Sequence, residues 1–193
     1  MRPALIGILG KKRSGKDTLA ARLVEAHGFT RFALADPIRA GLLELNPILP
    51  FGSHPGTFAT PPLRLAEWVA VYGWERAKET PEVRRLLQHF GTGLRDHLGA
   101  DVWVDALRRK ISDFPGSVVI TDVRFKNEVQ MIESLSGVTI RVTRPDLVST
   151  DTHISEVALD GYCADFGVVN DGTIADLSEE VDHLVEVRFP SMR

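Results

Sequence analysis

Two stretches of the chain are apolar without interruption: residues 4–9, Ala-Leu-Ile-Gly-Ile-Leu, and residues 118–120, Val-Val-Ile, which run on into Thr121 and Asp122. Neither shows the polar alternation of a half-exposed strand. Continuous apolar character over so short a length, closed by Gly10 in one case and an acid in the other, predicts strands buried on both faces. Residues 138–143 alternate, and residues 30–34 and 166–169 are shorter strand candidates. Between them the spacing is helical. Residues 18–26 place Leu19, Leu23 and Ala26 on one side, with Gly28 as a stop. Asp36-Pro37 reads as a capped helix start. Residues 63–78 carry Leu65, Trp68, Val69 and Tyr72 on one side. Further helices are predicted over residues 81–90 (ended by Gly91), 101–111, 127–135 and 174–187. Residues 46–62 hold five prolines and read as a loop or flap outside the core.

Strands alternating with helices predict an α/β fold, a three-layer α/β/α arrangement with a mostly parallel, roughly five-stranded sheet. The 193 residues show no repeat, no low-complexity tract and no dividing linker, so a single domain is expected.

Composition adds exclusions. The net charge of -3 argues against a nucleic-acid-coating role, which needs a basic surface. One cysteine, Cys163, forms neither an intrachain disulfide nor a Cys-rich zinc site and suits a reducing compartment. The first apolar run is too short for a signal peptide or a bilayer span, and no later run reaches membrane length. A cytoplasmic protein with no membrane partner is expected. Residues 63–72 offer an apolar face that suits a homodimer contact or the core equally.

Candidate chemistry concentrates at the end of the first strand. Gly10-Lys11-Lys12-Arg13-Ser14-Gly15-Lys16-Asp17-Thr18 nearly matches the phosphate-loop pattern G-x-x-x-x-G-K-[ST]. The glycines let successive N–H groups face phosphate oxygens, and the helix that follows adds the positive end of its dipole. Lys16 is placed to reach the β- and γ-phosphates of a nucleoside triphosphate. Asp17 stands where Ser or Thr usually ligates Mg²⁺, and Thr18 comes one residue late. Either supplies oxygen to a hard cation, and Asp17 alternatively orients an acceptor group.

The segment from Lys12 to Thr18, with Asp in the Ser/Thr place, resembles the phosphate loop of the phage deoxynucleoside monophosphate kinases. Gln88-His89-Phe90-Gly91-Thr92, followed by Arg95 and Trp103, is similar to that family's acceptor-site motif. Asp122-Val123-Arg124-Phe125-Lys126-Asn127-Glu128 resembles its central strand-end motif, and Asn170-Asp171-Gly172-Thr173 the loop before its last helix. The resemblance implies a P-loop kinase fold, with an acceptor-binding insertion at about residues 36–110 and a lid at about 144–160. It implies phosphoryl transfer from ATP, with Mg²⁺, to a deoxynucleoside monophosphate, giving ADP and the diphosphate for DNA precursor synthesis. For a phage-encoded protein the host cytoplasm is the place of action.

The implied roles follow residue by residue. Lys16, Arg124, Arg13 and Asp17 are the catalytic candidates. Arg13, Ser14, Gly15, Lys16, Asp17 and Thr18, with Asn170, Gly172 and Thr173, would hold ATP, and Asp17 or Thr18 the Mg²⁺. Lys12, Arg39, Gln88, Thr92, Arg95, Trp103, Asp122 and Arg124 would meet the acceptor. Arg95 offers a planar fork for a monophosphate, Gln88 an amide for a base edge, and Trp103 a stacking face or a core side chain. Arg141 is one more cation near an element end. Asp122 is either a site carboxylate or a cap for the segment after it. Glu128 pairs with Arg124 at helical spacing. Arg144, His153 and Glu156 belong to the implied lid, and Asp151 suits a helix cap there.

Animal phosphomevalonate kinases share the GKD-type loop. Kinases of phosphomevalonate or dephospho-coenzyme A are therefore the alternative on the same fold. Gln88 and Trp103 disfavour them, since those acceptors bring no base to that place. A nucleotide switch or slow ATPase is the more distant alternative; the Asn-Lys-x-Asp segment of a GTP reader does not occur. Gln88 presents donor or acceptor, so dTMP, dGMP, dCMP and dAMP all stay open as acceptors.

Overall fold

The computed structural model describes residues 3–49, 62–147 and 157–190. In chain order the elements are β1 (Leu5–Leu9), α1 (Lys16–His27), β2 (Thr30–Phe32), α2 (Ala35–Leu45), β3 (Ile48–Leu49) and β4 (Leu63–Arg64). Then come α3 (Leu65–Ala77), α4 (Pro81–Leu98), α5 (Val102–Ser112), β5 (Val118–Ile120), α6 (Lys126–Ser134), β6 (Val138–Thr143), β7 (Phe166–Val169) and α7 (Ile174–Arg188). The chain divides into two compact units, Met1–Leu34 with Leu107–Arg193, and Ala35–Ala106.

The first unit is built on a five-stranded sheet in the order β2-β5-β1-β6-β7, with every pairing parallel. All five residues of β1 are buried, which is why its apolar run is continuous. Ile6 and Ile8 face one side, in a core with Leu19 and Leu23 of α1 and Leu177, Val181 and Val185 of α7. The alternate residues face the other side: a Cβ on Gly7 would strike Ile132 of α6. Helices therefore cover both faces, and the fold is the expected three-layer α/β/α sandwich. Arg22 of α1 grips Asp182 of α7 through Nε at 2.8 Å and Nη2 at 2.5 Å, and His27 Nε2 lies 2.8 Å from the same carboxylate.

β1 sits at the centre of this sheet, with β5 on one side and β6 on the other. The chain leaves β1 toward β2, on the β5 side. Such a switch point opens a crevice at the carboxyl ends of the strands, where ligands bind in open α/β sheets. The loop before α1 leaves from that edge.

The second unit packs α2, α3 and α4 around Leu42, Leu49, Leu65, Trp68, Ala77 and Val83. Leu65 and Trp68 are thus core residues. Three expectations from sequence change here. The helix expected to end at Gly91 runs on to Leu98. Glycine costs a helix interior roughly 1 kcal/mol, but Gly91 is buried, and an added Cβ would stand 3.1 Å from Ile38 Cδ1. Its carbonyl also accepts the Trp103 indole N–H at 2.8 Å. Tertiary contact overrides the local stop signal. Conversely, the helix expected over residues 63–78 is broken at Gly73, whose φ of 72° and ψ of 166° are non-helical. The proline-rich segment begins as an anchored strand: Ile48 and Leu49 pair antiparallel with Arg64 and Leu63. Residues 50–61 of that segment lie outside the described residues.

Candidate active site

The loop between β1 and α1 has a backbone that ordinary residues resist. Gly10 has φ 142° and Gly15 φ 107°. A Cβ on Gly10 would strike the Val142 carbonyl, and one on Gly15 the Asn170 amide. Arg13 adopts φ 68°, in the left-handed region, at a cost of about 1 kcal/mol. The Lys16 ammonium spans the loop, donating to the carbonyls of Gly10 and Lys11 at 2.6 Å each. The Ser14 N–H donates to the same Lys11 carbonyl at 3.2 Å. The Ser14 hydroxyl is buried and has no hydrogen-bond partner among the described residues.

The neighbouring strand end supports this loop. The Asn170 side-chain amide donates to the Ser14 carbonyl at 2.9 Å. Its own N–H donates to Thr143 at the end of β6, at 2.8 Å. Beyond it, Thr173 caps α7. Its hydroxyl oxygen accepts the Asp176 N–H at 3.2 Å, and its N–H donates to the Asp176 carboxylate at 2.7 Å. The backbone N–H of Thr173 holds the Asp176 carboxyl below its ordinary range. This capping box fixes Gly172, Thr173 and Ile174. In sequence it shows as the Thr-x-x-Asp spacing.

These elements enclose a cavity of about 470 Å³, lined by Arg13, Gly15, Lys16, Asp17 and Thr18, by Arg144, and by Asn170, Gly172, Thr173, Ile174 and Leu177. Three cations face it against one acid, Asp17, at the positive end of α1. Such a lining suits a polyanion. The glycine conformations and the ammonium at the loop mouth fit a triphosphate. Asp17 and Thr18 on the same wall supply hard oxygen donors that fit Mg²⁺. Ile174, 72% exposed, adds an apolar surface, which the sequence reading missed. Arg13 lines the cavity, and Lys12, exposed on the loop, does not.

The remaining candidates fall in known places. Asp122 Oδ1 accepts the Leu34 N–H at 2.7 Å, joining the ends of β5 and β2. The cap of the following helix is supplied by Glu128, whose carboxylate accepts the N–H of Arg124 at 2.5 Å and of Phe125 at 2.9 Å. Arg124 is exposed there. Arg141, offered by its position as a phosphate cation, donates instead to the carbonyls of Leu159 and Tyr162, both at 2.8 Å. Arg144 is exposed. Asp151, His153 and Glu156 lie outside the described residues.

In the second unit, the extension of α4 puts Gln88, Thr92 and Arg95 at positions i, i+4 and i+7 of one continuous helix, and so on one face. Gln88 and Thr92 are exposed and Arg95 is half-buried. Trp103 packs its ring 5.7 Å from Phe90 while its N–H bonds Gly91. Arg39 pairs with Asp36 at 3.4 Å and lies 5.8 Å from the Trp74 ring centroid.

Among the described residues, no three His, Cys, Asp or Glu gather as a metal cluster, and no helix is long and apolar enough to cross a membrane.

The chain is similar to proteins of known name. A protein of Acanthamoeba polyphaga mimivirus, provisionally named a deoxynucleotide monophosphate kinase, is 32% identical over 94% of this chain and 96% of its own length. The deoxynucleotide monophosphate kinase of Escherichia phage RB69 is 30% identical over 55% of this chain and 46% of its own length, so the match spans about half of that phage enzyme. Among solved structures, dephospho-CoA kinase from Campylobacter jejuni is 16% identical, with a TM-score of 0.48 covering 99% of this chain and 100% of that one. The deoxynucleotide monophosphate kinase family model matches residues 4–47 and 71–181, taking in the phosphate loop, the face of α4 and the cap of α7. The chain belongs to the deoxynucleotide monophosphate kinase family.

Proposed function

We propose that the chain transfers the γ-phosphoryl group of ATP to the phosphate of a deoxynucleoside monophosphate, giving ADP and a deoxynucleoside diphosphate. The observation that carries this reading is the loop of residues 10–18 with the Lys16 ammonium at its mouth, in a chain of this family.

The nucleophile is an acceptor phosphate oxygen, already anionic near neutral pH. It attacks the γ-phosphorus, and the bond to the β–γ bridging oxygen breaks, its electron pair leaving on ADP. No strong general base is needed. What the chain must supply is positioning and positive charge. Lys16, held at the loop mouth by the Gly10 and Lys11 carbonyls, reaches the β- and γ-oxygens and follows the charge as it shifts. Arg13 and Arg144 hold the donor, and Asn170, Gly172, Thr173 and Ile174 form the wall for its base. Asp17 and Thr18 would hold Mg²⁺, which when bound neutralises charge on the phosphates.

Lys12, Arg124 and Asp122 serve the acceptor from the carboxyl edge of the sheet. Arg95 clamps its monophosphate, Thr92 and Gln88 lie along the same helix face for sugar and base, and Arg39 and Trp103 support that surface. The free, exposed Cys163 fits action in the reducing cytoplasm.

Product analysis tests the reaction. Phosphorus NMR of ATP mixed with a deoxynucleoside monophosphate and the protein should show a deoxynucleoside diphosphate and ADP in equal amounts. Inorganic phosphate with no new diphosphate would contradict the reading.

A further inference from the structure

One contact joins the phosphate loop to a distant part of the chain. Lys11 Nζ lies 2.5 Å from Asp160 Oδ1, across 149 residues of sequence. Lys11 is also the residue whose carbonyl receives both the Lys16 ammonium and the Ser14 N–H. Its side chain and its carbonyl are thus held from two directions.

Asp160 is itself firmly placed. Its N–H donates to the Val157 carbonyl at 3.0 Å, and the adjacent Leu159 is buried. The carbonyls of Leu159 and Tyr162, on either side of it, both receive the Arg141 guanidinium from β6. Arg141 is the parallel partner of Leu9, the last residue of β1 before the loop begins. The Tyr162 hydroxyl lies 3.2 Å from Thr139 Oγ1 and donates to Glu133 at 3.0 Å, closing the far side of the turn. The turn is thus bound to the strand beside β1, and it carries a carboxylate aimed at the phosphate loop.

We infer that Asp160 is a positioning residue of the phosphate loop: its ion pair with Lys11 fixes the residue whose carbonyl holds the Lys16 ammonium. A phosphate cradle works by having its donors in place before the ligand arrives. Gly10 fixes its end of the loop through its close approach to Val142. At Lys11, the next residue, the ion pair with Asp160 adds a side-chain constraint. The side chains of Lys11 and Asp160 are 31% and 53% exposed, so the pair adds little to folding stability. Its effect belongs to ligand binding.

This inference rests on residues 10–18 being the ATP site, and the experiment separates the two. ATP binding is measured by calorimetry, without acceptor, for the unchanged chain and for Asp160→Asn, Lys11→Met and the double variant, with melting temperatures taken in parallel. The expected result is that each single variant binds ATP roughly fivefold more weakly, the scale of one partly exposed ion pair. The double variant should be no weaker than either single one, because both remove the same contact. Asp160→Glu should recover part of the loss, and the gap between unchanged chain and variants should narrow as salt screens the pair. Failure of the unchanged chain to bind ATP would overturn the reading of the loop and this inference with it. If the unchanged chain binds and Asp160→Asn binds equally well, the reading stands and the inference fails. A loss in Lys11→Met alone also overturns it, since Lys11 would then act without Asp160.

Discussion

Asn170 and Ser14 are 156 residues apart in the chain and joined by a hydrogen bond of 2.9 Å, from the side-chain amide of one to the main-chain carbonyl of the other. The last strand end of the sheet thereby braces the phosphate loop of the first. Asn170, which the resemblance places among the residues that would hold ATP, lies in the cavity wall and spends its side-chain amide on this brace.

This brace predicts a graded response. Asn170→Ala should raise the Michaelis constant for ATP about threefold to tenfold and cost about 1 kcal/mol of stability, the worth of one lost hydrogen bond. Gly15→Ala should be worse, because the new methyl meets the same amide from a φ of 107°. Loss of measurable ATP binding with the fold retained is the expected outcome there. Calorimetric titration and circular dichroism on the same samples check both.

Lys16→Ala should lower turnover by at least about a thousandfold, since the ammonium acts on charge that develops in transfer. It should cost only about 1–2 kcal/mol of stability, because the Lys11 carbonyl keeps its bond from Ser14. Single-turnover kinetics beside a denaturant melt separate the two effects. Comparable losses in both would mean that Lys16 is structural.

Arg95→Ala should raise the Michaelis constant for the deoxynucleoside monophosphate by about tenfold or more and leave that for ATP nearly unchanged, the loss expected for one charge-assisted clamp. Steady-state kinetics with each substrate varied in turn decide this. An effect on ATP alone would move Arg95 out of the acceptor site.

How much of this was legible in the sequence depends on how local each cause is. β1 and β5 show as apolar runs because both faces of the sheet are covered. The phosphate loop shows because its glycines and its lysine act within a few residues of one another. The run of α4 through Gly91 was not legible, since the contacts that hold it come from Ile38 and Trp103. That extension matters: it turns Gln88, Thr92 and Arg95 from a scattered motif into one helix face. Arg141 and Asp122 were read by position alone, as charged residues at strand ends. Their partners, Leu159 and Tyr162 for one and Leu34 for the other, are contacts that no local pattern encodes. Lys11 lay inside the motif, but nothing in the sequence pointed to Asp160.

The tie between α1 and α7 predicts an acid response. The Arg22 guanidinium, with His27 beside it, holds the Asp182 carboxyl down to about 2 from an ordinary 3.8. The folded state therefore favours the ionised form. The stabilisation is fully present above about pH 4, the unfolded value, and is lost as pH falls through about 2. Since the pair is partly exposed, its worth after solvent screening is about 1 kcal/mol. Asp182→Asn should lower stability by that amount at neutral pH and flatten its decline between pH 4 and pH 2. Urea melts of both proteins across this range check it; parallel declines would contradict the assignment.

The identity of the phosphate acceptor defines the reaction, and one assay reaches it directly. ADP release from ATP and Mg²⁺ is measured with dTMP, dGMP, dCMP, dAMP, the matching ribonucleotides, dephospho-coenzyme A and phosphomevalonate, and with no acceptor. At least one deoxynucleoside monophosphate should raise the rate by orders of magnitude over the acceptor-free reaction, and dephospho-coenzyme A and phosphomevalonate should not. Stimulation by either of those two with none by any deoxynucleotide, or equally fast release with no acceptor at all, would contradict the proposed reaction.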